Sequence, residues 1–136
     1  MSHTRILLAD GNANFLQLAA SFLEPAFEVI GAVKDGQSLL NAAAKLKPDV
    51  LIVDICMPVL SGIEAAEQIC KSDSAVKIVF LTLHDDPDFI RASLAAGAMG
   101  YVIKSRLAEE LVFAVHEALA NRIFISPSIG VRRQSN

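Results

Sequence analysis

Cysteine is scarce in this chain, and long hydrophobic runs are missing. The two cysteines, Cys56 and Cys70, are too few for a disulfide framework and too isolated for a zinc site. The apolar runs are short and are separated by charges and turn residues, which excludes a transmembrane span. The first of them, Ile6 to Ala9, is also too short for the core of a signal peptide, so we expect none.

An excess of positive charge is lacking as well. The 12 Lys and Arg residues are outnumbered by 15 Asp and Glu residues, and the net charge of −3 argues against a nucleic-acid-binding surface on this segment. What the chain does have is apolar content. Of its 136 residues, 53% are hydrophobic, which is enough to build a core and too much for a disordered tail. We therefore expect one soluble, cytoplasmic domain.

Five short runs rich in Val, Ile and Leu predict β-strands. Three of them are nearly continuous in apolar character, which is typical of strands covered on both faces of a parallel sheet. The runs are Ile6 to Ala9, Val29 to Val33, Val50 to Val53, Val76 to Leu81, and Tyr101 to Ile103.

The segments between these runs show helical spacing of apolar residues. The first helical stripe is stopped by Pro25 and the second by Pro48. Asp86 and Pro87 have the form of a cap and a first-turn proline for a fourth helix, which Gly97 would end. Five strands alternating with five helices predict an α/β fold, with parallel strands joined by crossover helices.

Polar residues directly follow four of the predicted strands. Asp10 follows the first strand and Asp54 the third. Thr82 follows the fourth and Lys104 the fifth. Each of them alone is most often a turn residue, a cap or a surface residue. Because ligands bind at the carboxyl ends of parallel strands, the four together favour a common site.

The chemistry open to this set is narrow. Two carboxylates suit a hard cation such as Mg²⁺, which takes oxygen ligands and keeps several waters. A carboxylate can also attack phosphorus to form an acyl phosphate. A hydroxyl and a fixed cation would stabilise the charged oxygens of the incoming group. The set therefore predicts a site that holds a phosphoryl group on an aspartate.

Three segments carry a resemblance to a known family. Ile52-Val53-Asp54-Ile55-Cys56-Met57-Pro58, followed by Ser61-Gly62, resembles the phosphoacceptor segment of response regulator receiver domains. Phe80 to Asp86 and Ala96 to Ser105 resemble the NarL/FixJ subfamily in particular. The resemblance covers about residues 4 to 128. It implies a flavodoxin-like, doubly wound sheet of five parallel strands in the order 2-1-3-4-5, with five helices.

The resemblance also implies a role for each site residue. Asp54 would be the phosphoacceptor, and Thr82 and Lys104 would contact the phosphoryl oxygens. Mg²⁺ would be held by Asp10, Asp54 and the backbone carbonyl of Cys56. An enzyme is not expected, because aspartyl-phosphate phosphohydrolases carry a second acid where this chain has Cys56. The acid at Asp10 likewise disfavours a flavin carrier, since it would repel the flavin phosphate.

Tyr101 matches the family's switch aromatic, whose ring moves inward when the threonine is drawn toward the phosphoryl group. Taken alone, a tyrosine here is more typical of a half-buried strand residue. The resemblance implies that a sensor histidine kinase phosphorylates Asp54. The face formed by the fourth helix, fifth strand and fifth helix would then change, either as a homodimer contact or as a docking site for an output domain.

The sequence departs from the family at Gly11. Receivers usually carry two adjacent acids after the first strand, and here the pair is Asp10-Gly11, so we expect weakened Mg²⁺ binding. Two hypotheses follow. The domain is either a phosphoacceptor with a weak metal site or a pseudo-receiver that signals through protein contact alone. Retention of the other site residues favours the first.

The end of the chain is polar. Residues 126–136 predict a tail, or the start of a linker, after a receiver domain of residues 1–125. The NarL/FixJ resemblance implies a LuxR-type helix-turn-helix output domain beyond that linker, and DNA would be contacted only through it. No such segment lies in this sequence, so we favour a truncated chain over a naturally solitary receiver.

Overall fold

The computed structural model describes residues 3–127, and its centre is a sheet of six parallel strands in the order β2-β1-β3-β4-β5-β6. The strands are β1 (Arg5–Ala9), β2 (Glu28–Val33), β3 (Val50–Val53), β4 (Lys77–Thr82), β5 (Gly100–Ile103) and β6 (Phe124–Ile125). The helices are α1 (Ala13–Leu23), α2 (Gly36–Leu46), α3 (Gly62–Ser72), α4 (Pro87–Ala95) and α5 (Leu107–Leu119), with a single 3₁₀ turn over Lys104–Arg106.

The flavodoxin-like α/β class and the order of the first five strands are confirmed, but the number of strands was wrong. The sixth strand consists of Phe124 and Ile125, which pair in parallel with Gly100 and Tyr101. A strand of two residues is too short to show any periodicity, so no strand was predicted there. Their pairing depends on α5 returning the chain to the free edge of β5.

Local sequence signals set the helix ends. The side chain of Asn12 accepts hydrogen bonds from the backbone N–H groups of the first turn of α1. Asp86 caps α4 and Pro87 occupies its first turn, as predicted. Gly97 follows the C-cap of α4 with a φ of 104°, a conformation that favours glycine. Because α1 and α4 begin close to the ends of β1 and β4, the loops between them, residues 10–12 and 83–86, are short.

Two apolar layers cover the sheet, and alternate residues of each central strand enter different layers. Ile6 and Leu8 of β1 pack in the layer formed with α1 and α5. Leu7 and Ala9 pack in the layer formed with α2, α3 and α4. Both faces of the central strands are thus buried, which explains their continuous apolar character. The exposed edge at the strand ends is the place left for a polar site.

Residues 124–126, after α5, are hydrogen-bonded to β5 and do not form an exposed tail. Ser126, which we placed at the start of the predicted tail, is fully buried. The remainder of that predicted tail, residues 128–136, lies outside the described residues. Between residues 3 and 127, none of the helices combines the length and apolar character needed to cross a membrane.

Candidate functional site

The register of β1 against β3 brings two acids together. Ala9 pairs with Val53, so the residues that follow them, Asp10 and Asp54, leave the sheet side by side. The backbone N–H of Asp54 donates to the carbonyl of Ala9 at 2.9 Å. Both aspartates are buried, at 5% and 9% exposure respectively. Two carboxylates this close and this buried require a nearby positive charge.

Lys104 supplies that charge. Its Nζ lies 2.7 Å from Oδ2 of Asp10 and 3.6 Å from Oδ2 of Asp54. The ammonium also stands 4.0 Å from the ring centroid of Phe15, which adds a cation–π contact. Lys104 reaches this position because Ile103 before it pairs with Thr82 at the end of β4. The ammonium is therefore fixed between two acids, Asp54 and Asp10, that lie 50 and 94 residues earlier in the chain.

A cavity of about 320 Å³ opens over this cluster. Its lining includes Asp10, Asp54 and Lys104, together with the exposed Cys56. Thr82 does not line the cavity and is fully buried. Three of the four predicted polar residues thus meet in one pocket, and the fourth lies at the adjoining strand end.

The charge state of Asp54 depends on this environment. Burial raises its pKa above the ordinary value of 3.8, the Lys104 ammonium opposes the rise, and the Asp10 carboxylate adds to it. Ionised Asp54 thus lowers the stability of the folded protein relative to protonated Asp54. Additional positive charge in the cavity would reduce that loss of stability.

The donor set fits a weakly held Mg²⁺ ion. Asp10 and Asp54 both lie within 3.6 Å of one ammonium and line one cavity, so they are placed to share a cation. Mg²⁺ is commonly held by one or two carboxylates and keeps several waters. Over residues 3–127 there is no group of three His, Cys, Asp or Glu side chains suited to a metal, in keeping with glycine at position 11.

The predicted switch residues meet through His84. The hydroxyl of the fully buried Tyr101 donates to the backbone carbonyl of His84 at 2.7 Å. The backbone N–H of His84 donates to Oγ1 of Thr82 at 3.3 Å. Burial is the main cause that raises the pKa of Tyr101 above its ordinary value, which keeps its hydroxyl protonated as a donor. A single loop residue therefore joins Thr82 to Tyr101.

His84 is a residue of the site to which the sequence analysis assigned no role. Its ring lies 4.6 Å from the ring of Phe89 between centroids. Its Nε2 lies 3.1 Å from Sγ of Cys56. The one available signal was its place in the loop directly after β4. Periodicity carries no information about such a loop.

Residues 6–116 match the family of response regulator receiver domains. The chain belongs to this family. Among curated relatives, LiaR of Bacillus subtilis, a transcriptional regulatory protein, is 39% identical over 116 residues, which are 84% of this chain and 55% of LiaR. GacA of Pseudomonas aeruginosa, a response regulator, is 35% identical over 102 residues, which are 75% of this chain and 48% of GacA. The receiver domain thus spans about half the length of these relatives.

Solved structures agree with the assignment. A LuxR-family two-component response regulator from Aurantimonas matches this receiver domain with a TM-score of 0.91 and 30% identity, over 99% of this chain and 100% of that one. The isolated receiver domain of RcsB from Salmonella enterica, solved with phosphomimetic BeF₃⁻, matches with a TM-score of 0.86 and 25% identity, over 95% of this chain and 97% of that one. The chain is a receiver domain of a two-component response regulator.

Proposed function

We propose that this receiver domain accepts a phosphoryl group on Asp54 from a sensor histidine kinase. The supporting observation is the buried ammonium of Lys104, which lies within 3.6 Å of Asp54 and 2.7 Å of Asp10 at a cavity open to solvent. A carboxylate nucleophile beside a fixed cation is suited to phosphoryl transfer, since the cation stabilises the charge on the transferred oxygens.

The proposed step is a displacement at phosphorus. An oxygen of the Asp54 carboxylate attacks the phosphorus atom, the phosphorus–nitrogen bond to the kinase histidine breaks, and the leaving imidazole keeps the electron pair and takes a proton from water. The product is an acyl phosphate. Lys104 then faces the new phosphoryl oxygens as well as Asp10. Thr82 reaches them by turning its hydroxyl away from the His84 N–H.

Mg²⁺ would be held by Asp10, Asp54 and the backbone carbonyl of Cys56. When bound, it supplies positive charge that offsets the charge of the phosphoryl oxygens. Glycine at position 11 leaves this site one carboxylate short, so the proposal includes weak metal affinity. The chain's own cation, Lys104, then carries a larger share of the neutralisation.

The proposed output is a change in the face formed by α4, β5 and α5. When the Thr82 hydroxyl turns away from the His84 N–H, the backbone of His84 would be released, and with it the carbonyl that accepts the Tyr101 hydroxyl from β5. We propose that this face supports a homodimer and that transcription is controlled through a helix-turn-helix domain outside this sequence. RcsB, which matches with a TM-score of 0.86 and 25% identity, forms dimers that bind DNA. A cytoplasmic location belongs to the same proposal.

Acetyl phosphate and Mg²⁺ test the proposal directly, without the cognate kinase. Intact-protein mass spectrometry should show the gain of one phosphoryl group, which fragmentation assigns to Asp54. Asp54→Asn should abolish the gain. Asp49→Asn is the matched control, because Asp49 precedes β3 instead of following it. No gain with Mg²⁺, Mn²⁺ or Ca²⁺ would contradict the proposal and leave the phosphorylation-independent pseudo-receiver.

A further inference from the structure

Ser126, close to the C-terminal end of the described residues, is bonded to the strand that carries the predicted switch residue Tyr101. The backbone N–H of Ser126 donates to the carbonyl of Tyr101 at 2.9 Å. Its hydroxyl oxygen accepts from the backbone N–H of Ile103 at 3.0 Å. Ser126 thus bonds to two residues on the β6-facing edge of β5, just before Lys104, although it lies after β6.

A buried carboxylate fixes the Ser126 side chain. Its hydroxyl donates to Oε1 of Glu110, on α5, at 2.5 Å. Glu110 is only 7% exposed, and its Oε2 accepts from Nε of Arg106 at 3.3 Å. A buried carboxylate oxygen without a hydrogen-bond donor lowers the stability of the fold. The hydroxyl of Ser126 is the donor to the buried Oε1 of Glu110. Hydrogen bonds to charged groups are also the stronger class.

We infer that Ser126 and Glu110 form a latch through which the proposed phosphoacceptor site and the segment at Ser126 control one another. The inference rests on the proposed function, because it concerns regulation of the same site. The latch holds the backbone at Tyr101 and Ile103, and Ile103 immediately precedes Lys104. A change in the position or mobility of Lys104 therefore reaches Ser126 through one peptide unit and one hydrogen bond.

The direction of the coupling follows from the charges. A phosphoryl group on Asp54 adds negative oxygens beside Lys104 and restrains the end of β5, which stabilises the bonds between β5 and Ser126. Since coupling between two sites is reciprocal, the closed latch favours the phosphorylated state by the same factor.

The experiment compares Ser126→Ala, Glu110→Ala and the double variant with the wild-type chain. Ser93→Ala is the matched control, since Ser93 is also fully buried but donates only to the Phe89 carbonyl within α4. Amide hydrogen exchange is followed at Ile103 and Ser126 with and without acetyl phosphate. The acetyl phosphate concentration for half-maximal phosphorylation of Asp54 is measured in parallel.

We expect Ser126→Ala to accelerate exchange at Ile103 by about tenfold and to raise the half-maximal acetyl phosphate concentration several-fold. The double variant should be little worse than either single variant, because both changes remove one interaction. In the wild-type chain, phosphorylation should slow exchange at Ser126. Ser93→Ala should leave all three measurements unchanged.

The outcomes separate the latch from the proposed function. If the wild-type chain takes up a phosphoryl group, and Ser126→Ala leaves both its acetyl phosphate dependence and the slowing at residue 126 unchanged, the latch is overturned. If the wild-type chain takes up none, the proposed function fails. The latch is then tested in the unphosphorylated protein. There, Ser126→Ala should shift the carboxyl ¹³C resonance of Asp54, which lies beside Lys104. An unchanged resonance overturns it.

Discussion

The hydroxyl of Tyr101 on β5 donates a 2.7 Å hydrogen bond to the backbone carbonyl of His84, 17 residues earlier in the chain. This contact ties the loop after β4 to the neighbouring strand. The same loop residue donates its N–H to Thr82. The conformation of the loop beside the proposed phosphoacceptor site is therefore set by a buried side chain from another strand, and a change in either partner is transmitted to the other.

Removal of the Tyr101 hydroxyl tests that relationship. Tyr101→Phe keeps the ring and deletes only the donor, so the domain should lose about 1 kcal/mol of unfolding free energy. Amide exchange in the loop of residues 83–86 should accelerate, while exchange in β1 should not. Urea denaturation and hydrogen exchange give the two measurements. A variant whose loop exchanges at the wild-type rate would show that this bond does not hold the loop.

Introducing an acid at position 11 should strengthen the proposed metal site. A side chain fits there, because a Cβ on Gly11 would lie 3.6 Å from Cδ of Pro58 and 3.8 Å from the Lys34 carbonyl. Gly11→Asp should tighten Mg²⁺ binding about tenfold by calorimetry, which corresponds to about 1.4 kcal/mol. Gly11→Asn is the matched control of the same size without the charge. Equal affinities for the two variants would mean that the metal lies elsewhere.

Lys104 should contribute far more to the free energy of unfolding than an exposed cation does. Lys104→Met leaves Asp10 and Asp54 buried without their ammonium, so it should cost about 3 kcal/mol at neutral pH in the absence of divalent ions. Mg²⁺ should recover part of this loss by replacing the positive charge. Arg122→Met removes the exposed pair with Glu117 and should cost under about 1 kcal/mol. Similar losses in the two variants would refute the central role of Lys104.

The raised pKa of Asp54 predicts how stability depends on pH. Because its pKa is raised, Asp54 keeps its proton to higher pH in the folded protein than in the unfolded chain. The stability that Asp54 contributes is therefore greatest below its ordinary pKa of 3.8, and it is lost as the pH rises through the pKa of the folded state. Asp54→Asn should therefore be more stable than wild type at pH 7. The advantage should shrink as the pH falls toward 4, as measured by urea denaturation without Mg²⁺.

Asp35 provides the control of opposite sign. Hydrogen bonds from the backbone N–H and the hydroxyl of Ser38 lower the pKa of Asp35. The stability that Asp35 contributes is therefore present at neutral pH and is lost as the pH falls through the pKa of the folded state. Asp35→Ala should be less stable than wild type at pH 7, with the difference closing in acid. A pH-independent difference for Asp54→Asn would contradict the proposed origin of its raised pKa.

The fold class followed from the sequence because each of its signals is local. Apolar runs with buried character on both faces, caps such as Asp86 and stops such as Pro48 act within a few residues of where they stand. A parallel sheet then forces residues that directly follow its strands to one edge, so Asp10, Asp54 and Lys104 were predictable neighbours. Their chemistry limited the function to a few possibilities before any contact was known.

Only the tertiary structure decided what depends on partners distant in the chain. Phe124 and Ile125 form a strand because β5 offers a free edge, and Ser126 is buried because Glu110 on α5 accepts its hydroxyl. His84 became the link between Thr82 and Tyr101 through its backbone, which no side-chain pattern reveals. Periodicity reports which face of an element is buried. It contains no information about which distant group completes a hydrogen bond there.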